Sequence, residues 1–289
     1  MAGGRPRVRE DVRKPSPRQR PPGRPLARLL AVVLAFLPAA ALAANPRSST
    51  VHRVFPSAVR VQVLAGGKVV RSASGIAFAR EGERTAVLTN AHVVEPAPGG
   101  TAIEVRVLLE GREPVPARLL AAGQVEVNDL AVLEVSLPLP VTPLAPDEAL
   151  ELGDDLVVIG APFGKGLSVA AGIVSQVEYE LAENAAAPRR PRALKTDAAI
   201  GYGSSGGGVF DVPAGRLVGL VEGYRTARVA FGKDPDRYAF DVPMPGETFV
   251  APAAKIRGFL RAQGLGRLAG DGPTGPAGGL AVPAATTGM

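Results

Sequence analysis

Only two of the 289 residues are histidines, His52 and His92, and none is a cysteine. Imidazole chemistry must therefore run through one of two positions. Thiol nucleophiles, disulfides and cysteine-bound zinc are excluded. No H-E-x-x-H pair occurs, and two histidines so far apart offer no zinc ligand set, so neither a metal nor a cofactor is expected. One chemistry open to such a chain is general base catalysis by one histidine on an oxygen nucleophile, with a carboxylate to orient the ring.

The nucleophile candidates lie in Gly201-Tyr-Gly-Ser-Ser-Gly-Gly-Gly208. Gly201, Gly203 and Gly206 satisfy G-x-G-x-x-G, but a dinucleotide site needs a helix after its glycines. Here Val209-Phe-Asp-Val-Pro213 follows, a strand running into a turn. Gly160 to Gly166 is likewise one residue short of a phosphate loop and lacks Ser or Thr after Lys165. Gly203-Ser-Ser-Gly-Gly207 also reads as G-x-S-x-G. That nucleophile elbow places its histidine after the serine, whereas both histidines here come before it. The subtilisin order needs an aspartate before the histidine, and none lies between Ala44 and His92. Histidine, aspartate, serine is the order left, that of the chymotrypsin-like double barrel.

Within that order the residues can be chosen. His92 ends the apolar run Thr85-Ala-Val-Leu-Thr-Asn-Ala-His92, where an imidazole can reach solvent. His52 sits in a polar approach to the first strand and reads as a surface residue. Of Asp129, Asp147, Asp154, Asp155 and Asp197, Asp147 and the Asp154–Asp155 pair sit in a polar loop with Pro146, Glu148 and Gly153, whereas Asp129 is embedded at the head of an apolar strand in Val125-Glu-Val-Asn-Asp-Leu-Ala-Val-Leu133. A carboxylate that holds Nδ1–H must be shielded and oriented, so Asp129 is chosen. For the serine, a glycine two residues earlier lets its N–H turn inward as an oxyanion donor. That register fits Ser205 with Gly203, and fails for Ser204, which has Tyr202 there.

These residues need a frame. Alternating or apolar runs at Ser57–Leu64, Thr85–Leu88, Ala102–Leu109, Leu130–Val135, Leu156–Ile159 and Leu217–Val221 predict an all-β sandwich or barrel. One helix is expected at Pro252–Arg261, with Ile256, Phe259 and Leu260 on one face. Residues 1–43 read as a secretory signal peptide: a basic segment, an apolar run from Leu29, then Ala41-Leu42-Ala43. An uncleaved leader would instead anchor the protein in a membrane. The formal charge of +6 sits in that leader, since residues 1–28 carry eight Arg and one Lys against Glu10 and Asp11. No nucleic-acid partner is therefore expected. Residues 44–263 form the expected folded domain, and the Gly/Ala/Pro-rich stretch 264–289 a disordered tail.

Five segments in order carry a resemblance: Leu88-Thr-Asn-Ala-His-Val-Val94, Asn128-Asp-Leu-Ala-Val132, Gly160-Ala-Pro-Phe-Gly164, Ala171-Gly-Ile-Val-Ser175 and Thr196 to Gly207. Together they resemble the trypsin-like protease domain of the HtrA/Deg family over roughly residues 57–260. The resemblance implies two six-stranded β-barrels with a short C-terminal helix and the active site in the cleft between them. By motif it implies His92 as base, Asp129 as orienter, Ser205 as nucleophile, and Gly203 with Ser205 as oxyanion donors. It further implies an endopeptidase acting on protein or peptide substrates, exported or misfolded proteins among them, and the leader places it in the periplasm or outside the cell. Ala198, Ala199 and Ile200 would wall the S1 pocket. Ser204 replaces the family's asparagine, Gly201-Tyr202 replaces a polar-basic pair, and no PDZ domain is expected after the helix. A protease fold that binds partners without cleaving them is the alternative.

Overall fold

The computed structural model describes residues 45–146, 150–180, 190–230 and 239–270. The expected leader, Asp147 and residues 271–289 of the expected tail lie outside them. Two closed, six-stranded antiparallel barrels make up the fold. The first contains β1 (Ala58–Ala65), β2 (Lys68–Glu81), β3 (Arg84–Thr89), β4 (Ile103–Leu108), β5 (Val115–Ala122) and β6 (Ala131–Val135). Their order is β1-β2-β3-β6-β5-β4, closed by β4 on β1. The second contains β7 (Asp155–Gly160), β8 (Ser168–Tyr179), β9 (Pro191–Thr196), β10 (Gly208–Asp211), β11 (Leu217–Ala230) and β12 (Ala239–Pro252). It runs β10-β11-β12-β9-β8-β7 and closes through β7 on β10. The expected double barrel is the observed one.

Side-chain alternation explains why these sequences become strands. In β1, Val59, Val61 and Val63 point into the first barrel, while Arg60 and Gln62 lie on the partly exposed face. The uninterrupted apolar run of β7 obeys the same period with both faces covered. Leu156 and Val158 fill the second barrel, whereas Val157 and Ile159 face a third core between the barrels. Val87 and Leu88 of β3 divide in the same way between the first barrel and that shared core. The shared core also takes Ile76, Leu130, Phe210 and Leu220, and it is what holds the two barrels as one body.

Three helical pieces complete the frame: α1 (Pro46–Val54), α2 (Ala91–Val94) and α3 (Ala253–Ala262). In α3, Ile256, Phe259 and Leu260 are buried in the shared core, on the face that the sequence period marks. By contrast α1 falls where the sequence shows only a polar approach to the first strand. It forms because Asn45 caps it, accepting from Arg47 N–H at 3.0 Å, with proline at its first position. Only Thr50 and Val54 are buried, too few to leave an apolar period in the sequence. The expected disorder from Gly264 also needs correction. A turn at Gly266–Ala269 returns Leu265 and Leu268 to the shared core, so packing continues to the end of the described residues. Among the described residues, no helix is long and apolar enough to cross a membrane.

Phe210 is the largest side chain fully enclosed by both barrels. Phe210→Ala is expected to lower unfolding free energy by about 3–5 kcal/mol. Denaturant unfolding followed by fluorescence and circular dichroism should still give one coincident transition. Two separated transitions would mean that the barrels do not depend on this core.

Candidate active site

The ends of two neighbouring strands build one half of the site. β3 ends at Thr89, paired with Ala131 at the start of β6. The chain after Thr89 turns into α2, which carries His92, and Asp129 lies two residues before β6. His92 Nδ1 is 2.8 Å from Asp129 Oδ2, and His92 N–H donates to Asp129 Oδ1 at 2.9 Å. One carboxylate thus grips both the ring and the main chain of the same residue. With Nδ1 carrying the proton toward Asp129, Nε2 is the basic nitrogen. The Asp129 side chain is 15% exposed and that of His92 35%, so the carboxylate is shielded while the ring reaches solvent.

Asp129 has a positive φ of 24°, which aspartate tolerates better than most residues. Its peptide groups are tied down on both sides: Asp129 N–H donates to Gln124 O at 3.1 Å, and Asn90 Nδ2 donates to Asp129 O at 2.8 Å. The other aspartates have different occupations. Asp154 accepts from Glu151 N–H, Asp155 pairs with Arg47, and Asp197 accepts from Ile173 N–H. His52 is exposed on α1.

The second half is the loop before β10, and it can be read peptide by peptide, because C=O and N–H of a trans peptide point in opposite directions. Tyr202 O accepts from Phe163 N–H at 2.5 Å, and Ser204 O accepts from Gly207 N–H at 2.8 Å. On the reverse of those two peptides are the N–H groups of Gly203 and Ser205. Neither finds an acceptor among the described residues. The intervening peptides are held at both ends. Gly203 O accepts from Ser74 Oγ at 2.7 Å while Ser204 N–H donates to Gly201 O at 3.0 Å. Ser205 O accepts from Ser74 N–H at 2.9 Å while Gly206 N–H donates to Val221 O at 3.0 Å. Two unengaged donors, each facing away from an anchored carbonyl, can receive an oxygen that becomes negative.

Backbone conformation makes the loop sequence intelligible. Gly203 and Gly206 have φ of +90° and +80°. A Cβ at position 206 would stand 2.2 Å from Ser74 O, so no larger residue fits. Phe163 is left-handed at +57° although the residue is 68% exposed. That conformation leaves the ring exposed, and the Phe163 N–H donates to Tyr202 O. Arg60 of β1 steadies the same turn by donating to Gly164 O at 3.0 Å. Ser204 is 4% exposed, its hydroxyl accepting from Gly201 N–H at 3.3 Å, whereas Ser205 is half-buried.

Beside the loop, Tyr202 meets Tyr224 edge-on, their ring centroids 5.6 Å apart. Burial, with Tyr202 beside it, pushes the Tyr224 hydroxyl up to about 12. The expected S1 wall divides. Ala198 is buried in the second barrel, its carbonyl accepting from Thr248 Oγ1 at 2.9 Å. Ala199 and Ile200 line a cavity of about 300 Å³ with Val158, Ala170, Pro243 and Ser204. His92, Asp129 and Ser205 do not line it, so it lies on the Ser204 side of the loop.

Three contributors were missed in the sequence. Asn90 and Phe163 stood inside motif segments without a role. Ser74 had no signal, being one small residue in an ordinary strand.

A family profile for the trypsin-like peptidase domain matches residues 73–220. Serine protease Do-like HtrA of Bacillus subtilis is 36% identical over 154 residues, 52% of this chain and 32% of that protein. A probable periplasmic serine endoprotease, DegP-like, of Hahella chejuensis is 38% identical over 148 residues, 51% of this chain and 28% of that protein. The chain therefore spans about a third of the length of these curated relatives. A solved HtrA-type protease with a tripeptide aligns at TM-score 0.55 and 25% identity, covering 76% of this chain and 63% of that one.

The close passage of Gly206 against Ser74 O predicts that Gly206→Ala destabilises the protein by at least about 2 kcal/mol. Gly258 makes the contrast: it is exposed on α3, and a Cβ there would stand in open space. Gly258→Ala should stabilise by about 0.5–1 kcal/mol. Thermal melts of the two variants check both signs.

Proposed function

The chain belongs to the trypsin-like peptidase family, and we propose that it is a serine endopeptidase working through His92, Asp129 and Ser205. The observation that carries this reading is the joint one: an imidazole gripped by a shielded carboxylate, in a chain whose Ser205 loop keeps two N–H groups unengaged. Ser205 Oγ attacks the scissile carbonyl, and His92 Nε2 takes its proton. Asp129 holds the Nδ1–H tautomer and stabilises the imidazolium that forms. The carbonyl oxygen, now negative, is met by the N–H groups of Gly203 and Ser205. His92 then delivers its proton to the leaving amine, and water repeats the sequence on the acyl-enzyme.

The basic and apolar leader at 1–43 supports export to the periplasm or beyond, as does the description of the Hahella relative as periplasmic. Residues from 44 onward would then be the working domain. Protein or peptide substrates follow from the reaction.

A fluorophosphonate probe reads an activated serine without knowledge of the substrate. Wild type should label, and Ser205→Ala and His92→Ala should not, with peptide hydrolysis falling by at least about 10,000-fold. Ser204→Ala should retain labelling, because its hydroxyl serves Gly201 N–H. Equal labelling of wild type and Ser205→Ala would remove the nucleophile from this account.

The residues near the entrance to the site bear on specificity. Ala199 and Ile200 are apolar, and among the described residues the acidic candidate Glu222 is already paired with Lys255 at 2.5 Å. Burying a substrate cation without a free carboxylate is costly. Small aliphatic side chains such as Ala or Val should therefore be preferred at P1, with discrimination of roughly 1–3 kcal/mol between neighbours differing by a methylene. A P1 peptide library measures this, and dominant cleavage after Arg or Lys would overturn the apolar pocket while leaving the three catalytic residues in place.

A further inference from the structure

We propose that Ser74 is a positioning residue that holds the oxyanion donors of Gly203 and Ser205 in place from the opposite barrel; the inference rests on the endopeptidase reading above. Ser74 lies in β2 of the first barrel, completely buried, yet its partners belong chiefly to the second. Its hydroxyl donates to Gly203 O at 2.7 Å and accepts from Ala161 N–H at 2.7 Å. Its N–H donates to Ser205 O at 2.9 Å. Its carbonyl accepts from Thr89 Oγ1 at 2.8 Å, at the end of the strand that leads to His92. Every polar group of this residue is used, and two of the bonds fall on alternate peptides of one catalytic loop.

The direction of the Gly203 N–H depends on the two peptides that flank Gly203. Phe163 N–H holds the one before it, through Tyr202 O, and the Ser74 hydroxyl holds the one after it. Glycine at φ +90° has no side chain to resist rotation, so its conformation must be imposed from outside. The same hydroxyl also binds Ala161, the residue that leads into the Pro162–Gly164 turn and so to Phe163. Ser74 therefore braces both arms of the first donor. The second is treated similarly: Gly207 N–H holds the peptide before Ser205 and Ser74 N–H the one after it.

Removing the hydroxyl leaves Gly203 O and Ala161 N–H without this partner. The Gly203 peptide can then drift, and the loss falls on the transition state, because the oxyanion exists only there. A merely structural serine would affect stability and not the split between kcat and KM. Thr85 supplies the control. It is also fully buried, donates to Leu137 O at 2.7 Å and accepts from Leu139 N–H at 3.0 Å, but touches no part of the site.

The experiment compares wild type, Ser74→Ala, Ser74→Cys and Thr85→Val on a fluorogenic peptide with alanine or valine at P1, and on a peptide boronic acid with the same side chain. Ser74→Ala should lower kcat about 10- to 100-fold with KM within about twofold, a smaller loss than deleting an oxyanion donor outright. Boronic acid affinity should fall in parallel with kcat/KM. Ser74→Cys, with its weak donor, should lie between wild type and alanine, and it decides the matter if the alanine variant does not fold. Thr85→Val should lose stability and keep its kcat. Wild-type kcat in a folded Ser74 variant, or an equal kcat loss in Thr85→Val, would overturn the role given to Ser74. Absence of hydrolysis and of fluorophosphonate labelling in wild type would instead count against the endopeptidase reading itself.

Discussion

The constraint on which the site depends is that two backbone donors, the N–H groups of Gly203 and Ser205, stay unengaged while the carbonyls around them do not. Folded chains pair nearly all their backbone polar groups, so a loop left to itself would rotate to satisfy these two. It is prevented from doing so at each carbonyl from Tyr202 to Ser205. The restraining groups come from Phe163, Ser74 and Gly207, in three separate stretches of chain. In the proposed mechanism this is preorganisation: the dipoles would be aimed before substrate arrives, with no reorganisation left for the moment of reaction.

Such a loop needs a frame whose parts cannot slide, and the shared core between the barrels supplies it. Ile76, two residues beyond Ser74, lies in that core, as do Ile159, two residues before Ala161, and Phe210, just beyond the loop. Each restraint on the loop is therefore anchored within a few residues of a fully buried side chain. The His92–Asp129 pair is set by different means, the pairing of β3 with β6. Leu88 and Leu130, which flank those strand ends, enter the same core. Packing between the barrels thus ties the strand ends beside His92 and Asp129 to the frame of the Ser205 loop.

Much of this was legible in the sequence, for identifiable reasons. With two histidines and no cysteine, few positions could carry imidazole chemistry, and motif order with the glycine register led to the proposed His92, Asp129 and Ser205. Strands with marked alternation or uninterrupted apolar runs, such as β1 and β7, announced themselves. β5 did not, because none of its side chains is fully buried, and its pairing with β4 and β6 arises only from tertiary contact. α1 was hidden because a helix that buries two residues leaves no period. The inward turn of Ala198 was not legible either, because it depends on the residues before the loop continuing the alternation of β9. Ser74 was invisible for a deeper reason. Its importance lies in bonds to residues more than eighty positions away, and no local pattern records them.

The most direct test is a crystal structure of the protein with a peptide boronic acid bound to the active serine. The account predicts a tetrahedral boron on Ser205 Oγ, with one boron oxygen about 2.7–3.1 Å from both the Gly203 and Ser205 nitrogens. The loop from Tyr202 to Gly207 should keep every carbonyl bond it makes without the ligand. A boron attached to Ser204, or an oxygen facing solvent while the Gly203 peptide has turned over, would contradict it.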